Sequence, residues 1–169
     1  DLKAATWTIA AERMKADKRH TVPLSSPAVA LLKALKNSEH VQNLPDGFLF
    51  PGARGMPASD ATITAVIKRM HAVEVKAGRP GWIDPDSGRR ITAHGFRSAF
   101  KDWARTCTRY PDEASELALA HVNSDKTRAA YARDGLLDMR RELLRDWAAY
   151  AYSASTGPAV VSIRGKGGA

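Results

Sequence analysis

The chain has 169 residues, 26% of them charged and 44% hydrophobic, which fits one globular domain with a real core and leaves no room for two large ones. Its formal charge of +8 favours a polyanionic partner, most simply nucleic acid, slightly over a basic surface with no such partner. The single cysteine, Cys107, excludes an intrachain disulfide and a cysteine-built metal cluster, and no apolar run approaches the roughly 18 residues of a membrane span. With no signal peptide in view, a reducing, cytoplasmic setting is expected.

In chain order, Ala5-Thr6-Trp7-Thr8-Ile9 and His20-Thr21-Val22-Pro23-Leu24 read as the two strands of a hairpin. The polar stretch Met14 to Arg19 forms its basic tip. Ser26-Pro27 opens a helix that buries Ala28, Leu31, Leu32 and Leu35. Residues 43–57 read as loop around a brief extended piece, Phe48-Leu49-Phe50. Ser59 caps the next helix, whose apolar face is Ile63, Val66, Ile67 and Met70 and which ends near Gly78. Gly78 to Arg90 is loop again.

Thr92 caps a helix whose buried stripe is Phe96, Phe100, Trp103 and Cys107, with Cys107 as core filler. At about 100° per residue, His94, Arg97 and Lys101 share a different face. Asp112 caps a helix that carries Ala114, Leu117 and Ala118 towards His121. Asn123-Ser124-Asp125 then breaks the chain and caps a short helix containing Tyr131. Leu136 to Tyr152 is a long helix with Leu137, Leu144, Trp147 and Ala148 on its buried side. After Ser153 small residues and glycine dominate, although Val160 to Ile163 could pair with a sheet edge. The sum is a mainly α fold with a small antiparallel β-sheet.

One ordered set of residues carries chemistry. His94-Gly95-Phe96-Arg97 is followed by Ala120-His121, then by Ala130-Tyr131-Ala132-Arg133. Arg97 offers a planar fork of N–H donors that matches phosphate oxygens and stays charged at any relevant pH. His94, one turn back, can donate to the same phosphate or take a phenol proton. Attack on a phosphodiester needs an in-line nucleophile, donors on the non-bridging oxygens and an acid for the leaving oxygen. Taken singly, each of these residues has a plainer reading: a surface arginine, a polar cap, a buried histidine at a helix end, a packed tyrosine. Tyr110, Tyr150 and Tyr152 lack a neighbouring histidine cluster in sequence.

Jointly, the set resembles the catalytic sequence of the tyrosine recombinases, the phage-integrase family. In that family a His-x-x-Arg helix precedes a histidine or tryptophan that commonly follows Leu-Gly, and a Thr-x-x-x-Tyr segment comes about ten residues later. Here the pair is Leu119-Ala120 and the segment runs from Thr127 to Tyr131. Glu12-Arg13-Met14-Lys15 with His20-Thr21-Val22-Pro23-Leu24-Ser25 is similar to prophage integrases in particular. The likeness spans Trp7 to Trp147.

The resemblance implies that Tyr131 is the nucleophile, served by Arg97, His94 and His121. Lys15 would be the acid, because the family places a lysine seven residues before the valine of its Val-Pro-Leu strand; Lys18 competes for the role. Arg13, Lys18, Arg19, Lys101, Lys126, Arg128 and Arg133 are the expected DNA contacts. The implied reaction is site-specific recombination through a 3′-phosphotyrosyl link, on double-stranded DNA, by a homotetramer, with no metal and no cofactor. Residues 1–152 would be a partial catalytic domain and 153–169 a flexible tail, usable as an arm between subunits. The family also uses an upstream helix-borne arginine that the chain lacks, so a fold truncated at its N-terminus and inactive alone is expected. The alternatives are a non-catalytic DNA-binding module of the same fold and a type IB topoisomerase.

Overall fold

A computed structural model describes residues 1–42, 48–52, 56–59, 61–121 and 135–153. Strands β1 (Thr6–Ile9) and β2 (His20–Pro23) pair antiparallel, with Trp7 opposite Val22 and Ile9 opposite His20. Their connection holds one 3-10 turn, Ala11–Arg13, and passes through a left-handed residue, Asp17 (φ 50°), a residue type that tolerates this conformation. Six helices follow among the described residues: α1 (Ser26–Lys36), α2 (Glu39–Gln42), α3 (Ala61–Lys76), α4 (Ala93–Cys107), α5 (Asp112–Ala118) and α6 (Gly135–Ser153). The fold is therefore mainly helical with a two-stranded antiparallel sheet, as expected.

The core lies where α4, α5 and α6 meet. Phe100, Trp103 and Ala104 from α4, Ala114 from α5 and Leu143 from α6 are buried together. Trp147 packs edge-on against Phe100 with ring centroids 5.6 Å apart and leans on Trp103 at 5.1 Å. Tyr150 stacks on Trp147 in turn, so its ring belongs to this aromatic cluster. Such offset and edge contacts suit the ring quadrupoles and add to the gain from burying the rings. Pro23 at the end of β2 is fully buried, and β2 packs against α6.

Several boundaries and faces differ from the sequence reading, each for a local reason. Phe96 (57% exposed) and Cys107 do lie on the stripe of Phe100 and Trp103, but α5 and α6 cover only the middle of α4, so both ends of the stripe face solvent. Cys107 is thus not core filler. On α6 the deepest residue is Leu143, one position before the expected Leu144, which is half-buried. The apolar face of α3 is mostly open: Ile67 is buried while Ile63, Val66 and Met70 are exposed. Helix α1 buries no residue fully, and Leu31 is exposed. Its N-cap is Ser25 rather than Ser26, and α5 is preceded by Pro111 at the cap position, leaving Asp112 inside the helix. Helix α2, whose Val41 is buried, falls where the helix expected from Ser26-Pro27 runs out into loop.

Other expectations match. The Ala58 N–H donates to the Phe50 carbonyl next to an isolated bridge between Pro51 and Pro57. Gly78 (φ 76°) ends α3 in a left-handed turn, with the Arg79 N–H bonding the Glu74 carbonyl. The expected short helix around Tyr131 and the tail 154–169 lie outside the described residues.

Candidate active site

Thr92 sets the start of α4. Its hydroxyl accepts the Gly95 N–H at 3.2 Å, satisfying a donor that the first turn leaves without a helical partner. This fixes the turn that carries His94 and, one turn on, Arg97. His94 is exposed and Arg97 half-buried. Arg97 Nη2 donates to the Leu119 carbonyl at 2.5 Å, across 22 residues of sequence. The guanidinium is therefore held against the turn that follows α5.

That turn explains the residue pair before His121. Helix α5 ends at Ala118, and Ala120 adopts φ 55°, the left-handed conformation of a helix-terminating residue. The Ala120 N–H reaches the Leu117 carbonyl at 3.1 Å and the His121 N–H reaches Glu116 at 2.9 Å, the paired bonds of a Schellman turn. Glycine suits this position because it lacks a Cβ, and alanine is the smallest alternative. A valine at this position, Ala120→Val, is expected to cost about 1–2 kcal/mol in urea unfolding, whereas Ala120→Gly should stay within about 1 kcal/mol of the parent.

The turn delivers His121 to the same side as the Arg97 tether. The imidazole Nδ1 lies 2.5 Å from a Glu116 carboxylate oxygen. The other Glu116 oxygen pairs with Lys101 Nζ at 2.5 Å, and Lys101 also reaches Asp112 Oδ1 and Ser115 Oγ, each at 2.7 Å. Lys101 holds both carboxyls below the usual carboxylate range, with the His121 contact adding to the effect at Glu116. The Lys101 side chain is only 13% exposed. Its ammonium ties α4 to α5 and steadies the acid beside His121.

The base of the hairpin lies beside this turn. The His20 ring is near the Ala118 carbonyl, the neighbour of the carbonyl that Arg97 holds. Burial, then the nearby charge of Arg140, lowers the His20 pKa against the opposing pull of that carbonyl, and so favours the neutral ring. Beyond the base, Lys15, Lys18, Arg13 and Arg19 are exposed on the connection between β1 and β2. Tyr131, Lys126, Arg128 and Arg133 lie outside the described residues.

Among the remaining tyrosines, Tyr110 is committed elsewhere. Its hydroxyl donates to Asp146 Oδ2 at 2.7 Å, and that carboxylate pushes the phenol up to about 12. A phenol held protonated by an adjacent anion is a poor nucleophile. Among the described residues no group of three or more His, Cys, Asp and Glu side chains is placed to hold a metal ion, and no helix is long and apolar enough to cross a membrane. The residues that sequence reasoning passed over are Glu116, His20 and Arg140. Nothing local marks any of the three: Glu116 lies five residues before His121, off the three- or four-residue spacing of a helix face, and meets it only because the chain turns after Ala118.

A guanidinium is thus set from the start of one helix onto a histidine-bearing turn, with the base of a basic hairpin beside it. The chain belongs to the phage integrase family, whose pattern matches residues 1–135. It is 32% identical to prophage integrase IntA of Escherichia coli K12 over 164 residues, covering 96% of this chain and 35% of that protein. It is 31% identical to the integrase of Shigella phage Sf6 over 88% of this chain and 34% of that one. With the integrase of Enterobacteria phage P4 it shares 28% identity over 89% of this chain and 34% of that one. The chain thus spans about a third of the length of these relatives. No solved structure gives a significant match.

Proposed function

We propose that this chain carries the transfer chemistry of a site-specific DNA recombinase acting through a 3′-phosphotyrosyl intermediate. The observation that supports this best is the hydrogen bond of Arg97 to the turn that carries His121. In this reading the Tyr131 oxygen attacks the scissile phosphorus as its proton passes to His94. Arg97 and His121 donate to the non-bridging oxygens, where negative charge builds up. The P–O5′ bond breaks, and the leaving O5′ takes a proton from the Lys15 ammonium. A 5′ hydroxyl of the partner duplex then reverses the steps and frees the phenol.

The charge of +8 and the exposed Arg13, Lys18 and Arg19 suit the DNA backbone, with Lys126, Arg128 and Arg133 proposed beside Tyr131. Assembly on DNA as a homotetramer, use of residues 153–169 as an arm between subunits and action in the cytoplasm belong to the same proposal.

The test uses a protein of the relatives' full length that carries this chain, with nicked duplex DNA bearing its attachment site, so that the released strand diffuses away and the adduct accumulates. Trypsin separates the tyrosines: Ala129–Arg133 holds Tyr131 alone, while Tyr110 falls in Tyr110–Lys126 and Tyr150 and Tyr152 in Asp146–Arg164. The nucleotide mass is expected on Ala129–Arg133. Its appearance on either of the other peptides would reassign the nucleophile, and absence of any adduct would favour a DNA-binding module without catalysis.

A further inference from the structure

Among the described residues strand β2 has one strand neighbour, β1, so its outer edge takes hydrogen-bond donors from other elements. One comes from 119 residues away. Arg140 Nη1, on α6, donates to the Thr21 carbonyl at 3.0 Å, while its Nε reaches back to the Leu136 carbonyl at 3.4 Å. The side chain is partly buried, and the acceptors recorded for it are backbone oxygens rather than carboxylates. One residue before Thr21, His20 keeps its Nε2 buried without a partner among the described residues. A planar fork with two fixed donors fits this bridging task, and a lysine ammonium has no equivalent geometry. Helix α6 starts four residues after Tyr131. Arg140 therefore joins the helix that follows Tyr131 to the strand that leads out of the Lys15 hairpin.

We propose that Arg140 is a positioning residue for the transfer reaction: by clamping the open edge of β2 to α6 it sets the hairpin, and with it Lys15, relative to the His121 turn. This rests on the reading of Lys15 as the proton donor. As the phenolic oxygen bonds to phosphorus, the electrons of the breaking P–O5′ bond go to O5′, which takes the Lys15 proton. Loosening the clamp leaves the phosphate donors in place and displaces only the acid.

The chemistry supplies a readout that general damage to the fold would not mimic. Replacing the bridging 5′ oxygen by sulfur gives a leaving thiolate, whose conjugate acid has a pKa near that of a cysteine thiol, roughly 8.5, so it departs without a proton donor. In the full-length protein, Arg140→Met is expected to slow adduct formation on the oxygen substrate by about 100-fold, the scale of a roughly 1 Å misplacement. On the sulfur substrate it should recover to near the parent rate, as should Lys15→Ala.

Equal slowing on both substrates, or no slowing on either, overturns the proposal. Recovery of Arg140→Met without recovery of Lys15→Ala overturns the route through Lys15. A parent protein that forms no adduct, or forms it away from Tyr131, fails at the recombinase reading itself, and the positioning role falls with it. Circular dichroism checks folding; should Arg140→Met not fold, Arg140→Lys, which keeps the charge and loses the fork, undergoes the same comparison with the same expected pattern.

Discussion

Arg97→Ala is expected to lower the single-turnover rate of covalent adduct formation by about 1,000-fold, the loss that follows removal of one preorganised oxyanion donor. Two roles converge on this side chain. In the proposed reaction its fork neutralises the developing charge on the scissile phosphate. In the structure it also anchors the Leu119 carbonyl, and so the turn that presents His121. Among the described residues that tether occupies one N–H, and a guanidinium has five. The tether and a phosphate contact are therefore compatible, and the first preorganises the second.

Arg97→Lys should recover little, because an ammonium cannot hold the carbonyl and face a phosphate with the same fixed geometry. The stability loss should be small, about 1 kcal/mol, typical of one hydrogen bond. DNA affinity should fall far less than the rate, since in the proposed complex several other cations share the backbone contacts. A rate within about tenfold of the parent, clear of the roughly 100-fold lower limit for an oxyanion donor, would remove Arg97 from the reaction.

How far the sequence could be read depended on how local each signal was. The Thr92 cap, the Gly78 stop and the Phe100-Trp103 stripe are each written within a few residues, and the structure repeats them. The Leu119-Ala120 pair was legible as part of a family resemblance, but its physical meaning, a left-handed residue that aims His121, needed the backbone. Periodicity tells which face of a helix could be buried; it does not tell whether another element covers it. That is why Ile63, Val66, Met70 and Phe96 were expected inside and are exposed.

Lys101 shows the same limit for charge. Placed off the core stripe it reads as a surface cation, yet Asp112 and Glu116, 11 and 15 residues later, fold over it. Arg140 was illegible for a stronger reason. Its partners are backbone carbonyls, which every residue has, so no sequence pattern distinguishes it from an ordinary surface group.

Leu143→Ala is expected to destabilise the protein by about 3 kcal/mol, within the roughly 2–5 kcal/mol found when a fully buried leucine leaves a partly relaxed cavity. Leu143 is 0% exposed and sits among Phe100, Trp103, Ala104 and Ala114. Large rings and helix backbones on three sides give the cavity little freedom to close, which places the cost above that of a simple transfer term. Leu144→Ala, one position on and half-buried, should cost less, because its site opens towards solvent and leaves less void. Phe96→Ala, at the uncovered end of the same α4 stripe, should change stability by no more than about 0.5 kcal/mol.

Urea unfolding of the three variants orders them directly, as shifts in midpoint at constant slope. If Leu144 or Phe96 proved costlier than Leu143, the register of α6 against α4 would be wrong by about one residue. Arg140 would then turn away from Thr21 by about 100° around the helix, and the clamp on the hairpin would go with it.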